Sequence, residues 1–215
     1  YWIHNGFVNV NQEKMSKSLG NFFTIREVFE KYPYSSPVTA EVLRYFLISN
    51  HYRSPVDFSD FGMKTAHAAL DGFYATLQNV EEASRGLAAE SSVDPGVMSA
   101  IEECKKEFVD AMDDDFNTAA AIAGMQKLRR EVNTNIEHGI SPNVAREILD
   151  LFKTFGAIPG LFSIDPFKWE FLKYKGITPN ISISMSEGEV QRLVKEREDA
   201  RRRKDWKRSD EIRKQ

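Results

Sequence analysis

The chain has 215 residues, 41% of them apolar, and a formal net charge of −3 at pH 7. This composition is typical of a globular protein with one large or two small domains, and it excludes a strongly basic nucleic-acid-binding chain. A single cysteine excludes an intrachain disulfide, and no apolar run reaches the roughly 18–20 residues that a membrane-spanning helix needs.

The first elements in chain order are a short strand and a turn. Apolar and polar residues alternate over 7–10, which predicts a strand, and residues 11–12 predict a turn. The polar segment at 13–20 is rich in Lys and Ser and is expected to be flexible. The sequence therefore predicts a strand or hairpin that leads into an exposed loop.

Two helices are predicted after this segment. Thr24 and Glu27 form a capping box, so a helix is expected to begin directly after Thr24 and to end before a loop at 33–37. A second helix is expected over 39–50, and residues 51–60 are expected to be irregular.

The remainder consists mainly of amphipathic helices joined by short connections. Apolar residues recur at spacings of three and four in stretches at about 61–84, 95–112, 118–138 and 142–158. Their inward seams are Ala66, Leu70, Phe73, Leu77 and Val80; Ile101, Cys104, Phe108 and Met112; Ile122, Met125, Val132 and Ile136; and Val144, Ile148, Leu151 and Phe155. This pattern predicts a helical bundle with a linker at 86–92, followed by a connector at 163–185 and a charged helix at 187–203.

Residues 13–21 contain the stretch whose composition indicates chemistry. Two lysines three positions apart alternate with serines in the string Lys14, Met15, Ser16, Lys17, Ser18, and Gly20 beyond it would permit a hinge. Ammonium groups and hydroxyls suit phosphate oxygens, so a loop carrying them can close over a triphosphate and stabilise charge on a leaving pyrophosphate. Most such pentapeptides are solvated surface loops, so the motif alone leaves that alternative open and the surrounding sequence has to distinguish the two.

The motif stands among further blocks at 1–8, 22–26, 41–47, 51–55, 111–118, 197–206 and 210–213. The string at 14–18 resembles the second signature of class I aminoacyl-tRNA synthetases. The further blocks, in this order, resemble the cysteinyl-tRNA synthetases in particular. The resemblance extends over the whole chain and is weaker at 85–100 and 160–185.

This resemblance implies a mainly α fold. Residues 1–60 would be the C-terminal end of a class I synthetase catalytic domain, with a short strand or hairpin, the KMSKS loop and stem helices. Residues 61–160 would form a DALR-type helical bundle, and residues 161–215 would be a connector and charged C-terminal helices. The helical part would contact tRNA.

The resemblance also implies a chemistry. The family joins cysteine to tRNA(Cys) through a cysteinyl-adenylate made from ATP with Mg²⁺, and the full-length enzyme carries Zn²⁺. By match to the family motif, Lys17 is the first candidate for a catalytic contact with the ATP phosphates and Lys14 is the second. Ser16 and Ser18 would support the phosphate-binding loop, and Met15 would anchor it by packing.

Some parts of the family pattern are missing from this sequence. The first class I signature, His-Ile-Gly-His, is absent, and the family's zinc ligands would lie upstream, so no metal ligand is assigned. Because the start has neither a Met nor a basic region, we expect a piece of a longer protein that is inactive on its own. We expect a cytoplasmic monomer that uses ATP, cysteine and tRNA(Cys) and has no membrane partner. Cys104 is expected to be a buried structural residue.

Three other features have structural and functional interpretations. Residues 113–117 are acidic but fail the EF-hand pattern, so a helix cap is expected there. The basic cluster at 201–208 would either contact tRNA phosphate or form a solvated helix face. Arg44 and Arg53 are expected to make structural ion pairs, and His51 is expected to be structural.

Two alternative functions stay open. One is a ligase that activates cysteine with the same loop but transfers it to an amino sugar, as in the mycothiol pathway. The other is a non-catalytic tRNA-binding module descended from a synthetase. The intact lysine loop argues against the second alternative, because a module that only binds tRNA has no use for a group that stabilises pyrophosphate.

Overall fold

A computed structural model describes residues 1–85, 95–173, 192 and 196 of the chain. The chain divides into two compact units, Tyr1–Gly176 and Ile177–Gln215, and the elements named below belong to the first. The described strands are β1 (Val8–Val10), β2 (Glu13–Lys14) and β3 (Val56–Phe58). The described helices are α1 (Ile25–Lys31), α2 (Ser36–Ile48), α3 (Asp60–Ser84), α4 (Pro95–Asp113), α5 (Thr118–Asn135), α6 (Pro142–Ala157) and α7 (Pro166–Leu172).

The three strands form a small sheet in which β1 lies between β2 and β3. β1 pairs antiparallel with β2 through a turn in which Asn11 and Gln12 have φ of 53° and 68°. Its other edge pairs in parallel with β3, so that Val10 lies opposite Phe58. The predicted strand and turn are confirmed, but the irregular segment predicted for 51–60 is wrong because it contains β3. Three residues are too few to show strand periodicity, and the parallel partner is distant in the sequence.

The capping box predicted at the start of α1 is present. Thr24 Oγ1 accepts from the Glu27 amide at 3.2 Å, and the Glu27 carboxylate accepts from the Thr24 amide at 2.6 Å. α2 begins at Ser36, earlier than predicted, because Pro37 occupies its first turn, where the missing N–H loses no helical hydrogen bond. The predicted loop at 33–37 is therefore too long.

α3 is the central helix of the bundle and contacts α2, α5, α6 and α7. Its predicted seam is buried at all five positions: Ala66, Leu70, Phe73, Leu77 and Val80. The seams of the next three helices are buried at Ile101, Cys104, Phe108, Ile122, Met125, Val132, Val144, Ile148 and Leu151, and Met112, Ile136 and Phe155 pack at the edge of the core. The predicted bundle is therefore confirmed. Burial of each large apolar side chain stabilises it by about 1.5–3 kcal/mol.

α7 lies in the segment that was predicted to be a connector. Asp165 caps it by accepting from a backbone amide two residues on at 2.9 Å, and Pro166 occupies the first turn. Trp169 is 1% exposed and stacks on Tyr74 with their ring centroids 4.0 Å apart. The first part of the segment predicted as a connector, 163–185, therefore contains a helix that packs on α3.

Several predictions fall outside the described residues. They are the linker at 86–92, the later part of the connector and nearly all of the charged helix at 187–203. Within the part of the chain that the structure describes, no helix has both the length and the apolar character needed to cross a membrane.

Candidate phosphate-binding site

The lysine loop, defined as residues 14–21, leaves the sheet at the end of β2. The Met15 amide donates to the Val8 carbonyl at 2.9 Å, which extends the hairpin pairing by one residue. The Met15 side chain is half-buried and packs against the core. In the turn, the Gln12 amide donates to Asp57 on β3 at 2.9 Å. Hydrogen bonds to both β1 and β3 therefore hold the segment from which the loop starts.

The side chain of Asn21 closes the lysine loop into a ring. Its oxygen accepts from the Ser16 amide at 2.9 Å, and its nitrogen donates to the Lys14 carbonyl at 3.3 Å. Gly20 has φ of +68°, a conformation that strains other residues, and its amide donates to the Lys17 carbonyl at 3.2 Å. This role of Asn21 was not predicted from the sequence, although Asn side chains commonly form hydrogen bonds to nearby backbone groups in turns.

The two serines of the motif meet within the loop. Ser16 Oγ and Ser18 Oγ lie 3.2 Å apart, and Ser16 Oγ also accepts from the Leu19 amide at 3.3 Å. Because a hydroxyl has one donor and two acceptor positions, these bonds fix the turn and leave capacity for a bound group.

Lys14 and Lys17 are both exposed, and no carboxylate among the described residues pairs with either ammonium group. Each ammonium lies over an aromatic ring instead. Lys14 Nζ is 4.0 Å from the centroid of Phe7, and Lys17 Nζ is 5.5 Å from the centroid of Phe22. Two positive charges that form no ion pair with the described carboxylates give this loop a local field that attracts a polyphosphate.

A second polar cluster joins the segment after α2 to the turn between α4 and α5. Arg53 donates to the Asp115 carboxylate from Nε at 2.5 Å and from Nη2 at 3.0 Å, and the Tyr52 hydroxyl donates to it at 2.7 Å. The hydrogen bonds from Arg53 and then Tyr52 lower the pKa of Asp115 to about 2. The ion pair predicted for Arg53 is confirmed.

Arg44 behaves differently from Arg53. Its Nη1 donates to the Gly160 carbonyl at 2.6 Å, and the predicted ion pair is not formed with any described residue. His51 stacks on Tyr52 with centroids 4.9 Å apart and lies 3.9 Å from Asp115, which agrees with the structural role predicted for it.

The acidic turn at 113–117 is a helix boundary, as predicted. Asn117 Oδ1 accepts from the Ala120 amide at 3.1 Å and so caps α5. Asp115 and Phe116 have left-handed φ of 55° and 54°, a strained conformation that the bonds to Asp115 hold in place.

No group of three or more His, Cys, Asp or Glu side chains among the described residues is arranged to hold a metal ion. Cys104 is 2% exposed on α4, and burial raises the pKa of its thiol to about 12, so its predicted structural role is confirmed. The basic cluster at 201–208 lies outside the described residues, and its contact with tRNA stays a prediction.

A buried carboxylate that the sequence analysis missed joins α2 to the segment before α7. Glu41 is 1% exposed and accepts from the Tyr74 hydroxyl at 2.7 Å, the Phe162 amide at 2.6 Å and the Ser163 hydroxyl at 3.3 Å. Burial raises the pKa of this carboxyl, and the hydrogen bonds oppose that rise. No local pattern marks a Glu whose partners come from distant parts of the chain.

Two family models match separate parts of the chain. The model of the class I (C) tRNA synthetase catalytic domain matches residues 1–68, which include the lysine loop. The model of the DALR domain matches residues 107–163, which include α5 and α6 of the bundle.

Relatives named cysteine–tRNA ligase align with nearly the whole chain. The protein of Geobacter metallireducens is 43% identical over 222 residues, covering 99% of this chain and 44% of the relative. The protein of Thermodesulfovibrio yellowstonii is 40% identical over 221 residues, covering 100% of this chain and 43% of the relative. The protein of Geotalea daltonii is 44% identical over 235 residues, covering 100% of this chain and 45% of the relative. The chain thus spans less than half the length of these relatives.

A solved structure shares the fold. It is the ternary complex of Agrobacterium radiobacter K84 agnB2 LeuRS with tRNA and LeuAMS, with a TM-score of 0.55 and 19% identity over 74% of this chain and 22% of that chain. At this identity the likeness supports the fold alone, and it agrees with the predicted mainly α architecture. The relatives and the two domain matches show that nearly the whole chain is similar to part of the cysteine–tRNA ligases and that it carries class I tRNA synthetase and DALR domain sequence.

Proposed function

We propose that the full-length protein containing this chain is a cysteine–tRNA ligase, which activates cysteine with ATP and transfers it to tRNA(Cys). The observation that carries this proposal is the lysine loop, in which two exposed ammonium groups have no carboxylate partner among the described residues. Such charges are available to a polyphosphate. The family match supplies the reaction in which a loop of this kind acts.

In this proposal the loop acts on ATP. The cysteine carboxylate is ionised near pH 7 and attacks the α-phosphorus without a general base, and the bond from that phosphorus to the pyrophosphate oxygen breaks. Lys17 and Lys14 bind the phosphate oxygens and stabilise the charge that the leaving pyrophosphate gains. Ser16 and Ser18 donate hydrogen bonds to the same phosphates, and Met15 anchors the loop.

The rest of the chain completes the catalytic domain and contacts tRNA in this proposal. Residues 1–60 complete the catalytic domain, residues 61–160 form a DALR-like bundle, and residues 161–215 form a connector and charged helices near the tRNA. The protein is a cytoplasmic monomer. Mg²⁺ accompanies ATP, and Zn²⁺ binds in the full-length protein through ligands outside this chain. The described residues offer no cluster of side chains that fits a metal ion.

The test is cysteine-dependent exchange of pyrophosphate into ATP by the full-length protein. Lys17→Ala removes a charge that acts on the leaving group, and we expect the turnover number to fall by about 100-fold. Lys64→Ala, an exposed lysine on α3, is the matched control and should retain wild-type exchange. A Lys17→Ala variant as fast as wild type would refute the assigned role of the loop.

The second half of the reaction separates the alternatives. Wild-type protein is expected to charge tRNA(Cys) with cysteine. Transfer of cysteine to an amino sugar and not to tRNA would identify the mycothiol-type ligase instead. Binding of tRNA without any exchange activity would identify a non-catalytic module. The isolated 215-residue chain is expected to show no exchange, and activity from it would contradict the prediction that it is inactive alone.

A further inference from the structure

We propose that Phe7 and Phe22 are positioning residues, which hold Lys14 and Lys17 in place for the ATP phosphates. This inference rests on the proposed function and adds two aromatic residues to the site. Its basis is the placement of each loop ammonium over one of these rings, with centroid distances of 4.0 Å and 5.5 Å.

The hairpin register places Phe7 beside Lys14. Lys14 lies opposite Asn9 in the pairing of β1 and β2, and Phe7 is two residues from Asn9 and therefore on the same face of the hairpin. A long side chain reaches such a diagonal neighbour. Phe7 is 62% exposed, so its ring lies outside the core and is accessible to the Lys14 side chain.

Phe22 and its neighbour Phe23 point in different directions. Phe23 packs against the core, with its ring centroid 6.0 Å from that of Phe58. Phe22 is 42% exposed and lies below Nζ of Lys17. Because Phe23 provides the packing at this point of the chain, the exposed ring of Phe22 needs another explanation, and contact with the lysine supplies one.

An aromatic ring suits this task better than a carboxylate. The face of the ring attracts an ammonium group without neutralising its charge, and the contact leaves N–H donors available. A carboxylate partner would have to be displaced before a phosphate oxygen could bind. A ring also restricts a flexible four-carbon side chain, so less conformational entropy is lost when the nucleotide arrives.

The proposal predicts which kinetic constants change. The rings hold the two lysines, and the lysines contact the ATP phosphates both when ATP binds and when the leaving pyrophosphate gains charge. Loss of a ring should therefore raise the KM for ATP and also lower kcat, by less than removal of the lysine itself does. Phe7→Leu and Phe22→Leu should each raise the KM for ATP by about two- to fivefold in the exchange assay, because exposed cation–π contacts are weak. The KM for cysteine should not change.

Two matched variants isolate the aromatic contact. Phe22→Tyr keeps a ring at the same place and should retain the wild-type KM for ATP. Phe61→Leu removes a ring from α3 that is 81% exposed and should have no effect. A Phe22→Leu variant with a wild-type KM would overturn the proposal. A Tyr variant as weak as the Leu variant would overturn it too, since the effect would then not depend on the ring.

A spectroscopic measurement tests the contact without relying on activity. Lysines of the full-length protein are dimethylated with ¹³C, which keeps their charge, and the Lys14 signal is assigned with Lys14→Arg. The ring of Phe7 should shift the Lys14 methyl resonance upfield, and Phe7→Leu should abolish the shift. An unchanged resonance would overturn the contact. Wild-type protein that lacks exchange but keeps the shift would refute the proposed function and leave the ring contact established.

Discussion

The lysine loop and the helical bundle are held together in different ways. The loop relies on side-chain-to-backbone hydrogen bonds, centred on Asn21, and keeps its lysines exposed. The bundle relies on buried apolar seams and on a buried polar network around Glu41 and Trp169. The difference indicates that charge is kept available in the first region and that stability resides in the second.

Lys17→Ala should therefore change the free energy of unfolding by less than about 0.5 kcal/mol.

The largest effect on stability is expected from Trp169→Ala. The indole is 1% exposed, stacks on Tyr74 and donates to Asp71 at 2.7 Å, so its removal leaves a cavity and takes one hydrogen-bond donor from Asp71. The free energy of unfolding should fall by about 3–5 kcal/mol. Urea denaturation of the 215-residue chain measures it, and Phe171→Ala, whose ring is 53% exposed on the same helix, is the control. Equal losses in both variants would contradict the assignment of stability to the buried face of α7.

A smaller loss is expected from changes at Glu41. Glu41→Ala leaves the Tyr74 hydroxyl and the Phe162 amide without their acceptor, and an unsatisfied buried donor costs about 1–3 kcal/mol. Glu41→Gln keeps one acceptor oxygen of similar size and should lose less. Chemical denaturation at constant pH compares the two variants. If the Gln variant is as unstable as the Ala variant, the hydrogen bonds to this oxygen do not stabilise the fold.

The smallest effect is a pH dependence at His67. This ring is 7% exposed, stacks on Tyr34 and faces the charged groups of Asp71, Glu170 and Lys173. Burial lowers its pKa below the ordinary value of 6.5, so the unfolded chain binds the proton more readily than the folded chain. The free energy of unfolding should therefore fall as the pH decreases through 6.5.

The control for this pH dependence is His67→Gln, which does not titrate. Denaturation at pH values above and below the ordinary pKa of histidine gives the slope for each protein. The variant should show a shallower slope than wild type over this interval. Equal slopes would mean that other groups account for the acid sensitivity.

Prediction from sequence succeeded where the signal was local. The α3 seam and the capping box at Thr24 follow from spacings of three or four residues, the cap within 113–117 follows from residue type, and all are present. Prediction failed where the partner was distant. β3 is a strand only because it pairs with β1. An ion pair was predicted for Arg53, but the sequence did not identify Asp115 as its partner.

The candidate site shows the same division. The string at 14–18 and Gly20 predict a phosphate-binding loop from residue type and order, and that assignment stays a prediction. Asn21 as the closing residue was not recognised, and neither were the rings under the lysines. Phe7 meets Lys14 only because the hairpin register brings the two residues to one face.

The sequence by itself determined the family, the helical bundle and the residue types that suit ATP phosphates, since periodicity, caps and motif order are written along the chain. The tertiary structure decided which groups are buried together and which charges stay unpaired among the described residues. These properties depend on contacts between residues far apart in the sequence, as at Glu41 and Phe162, and the free energy of such a contact exists only after the chain has folded.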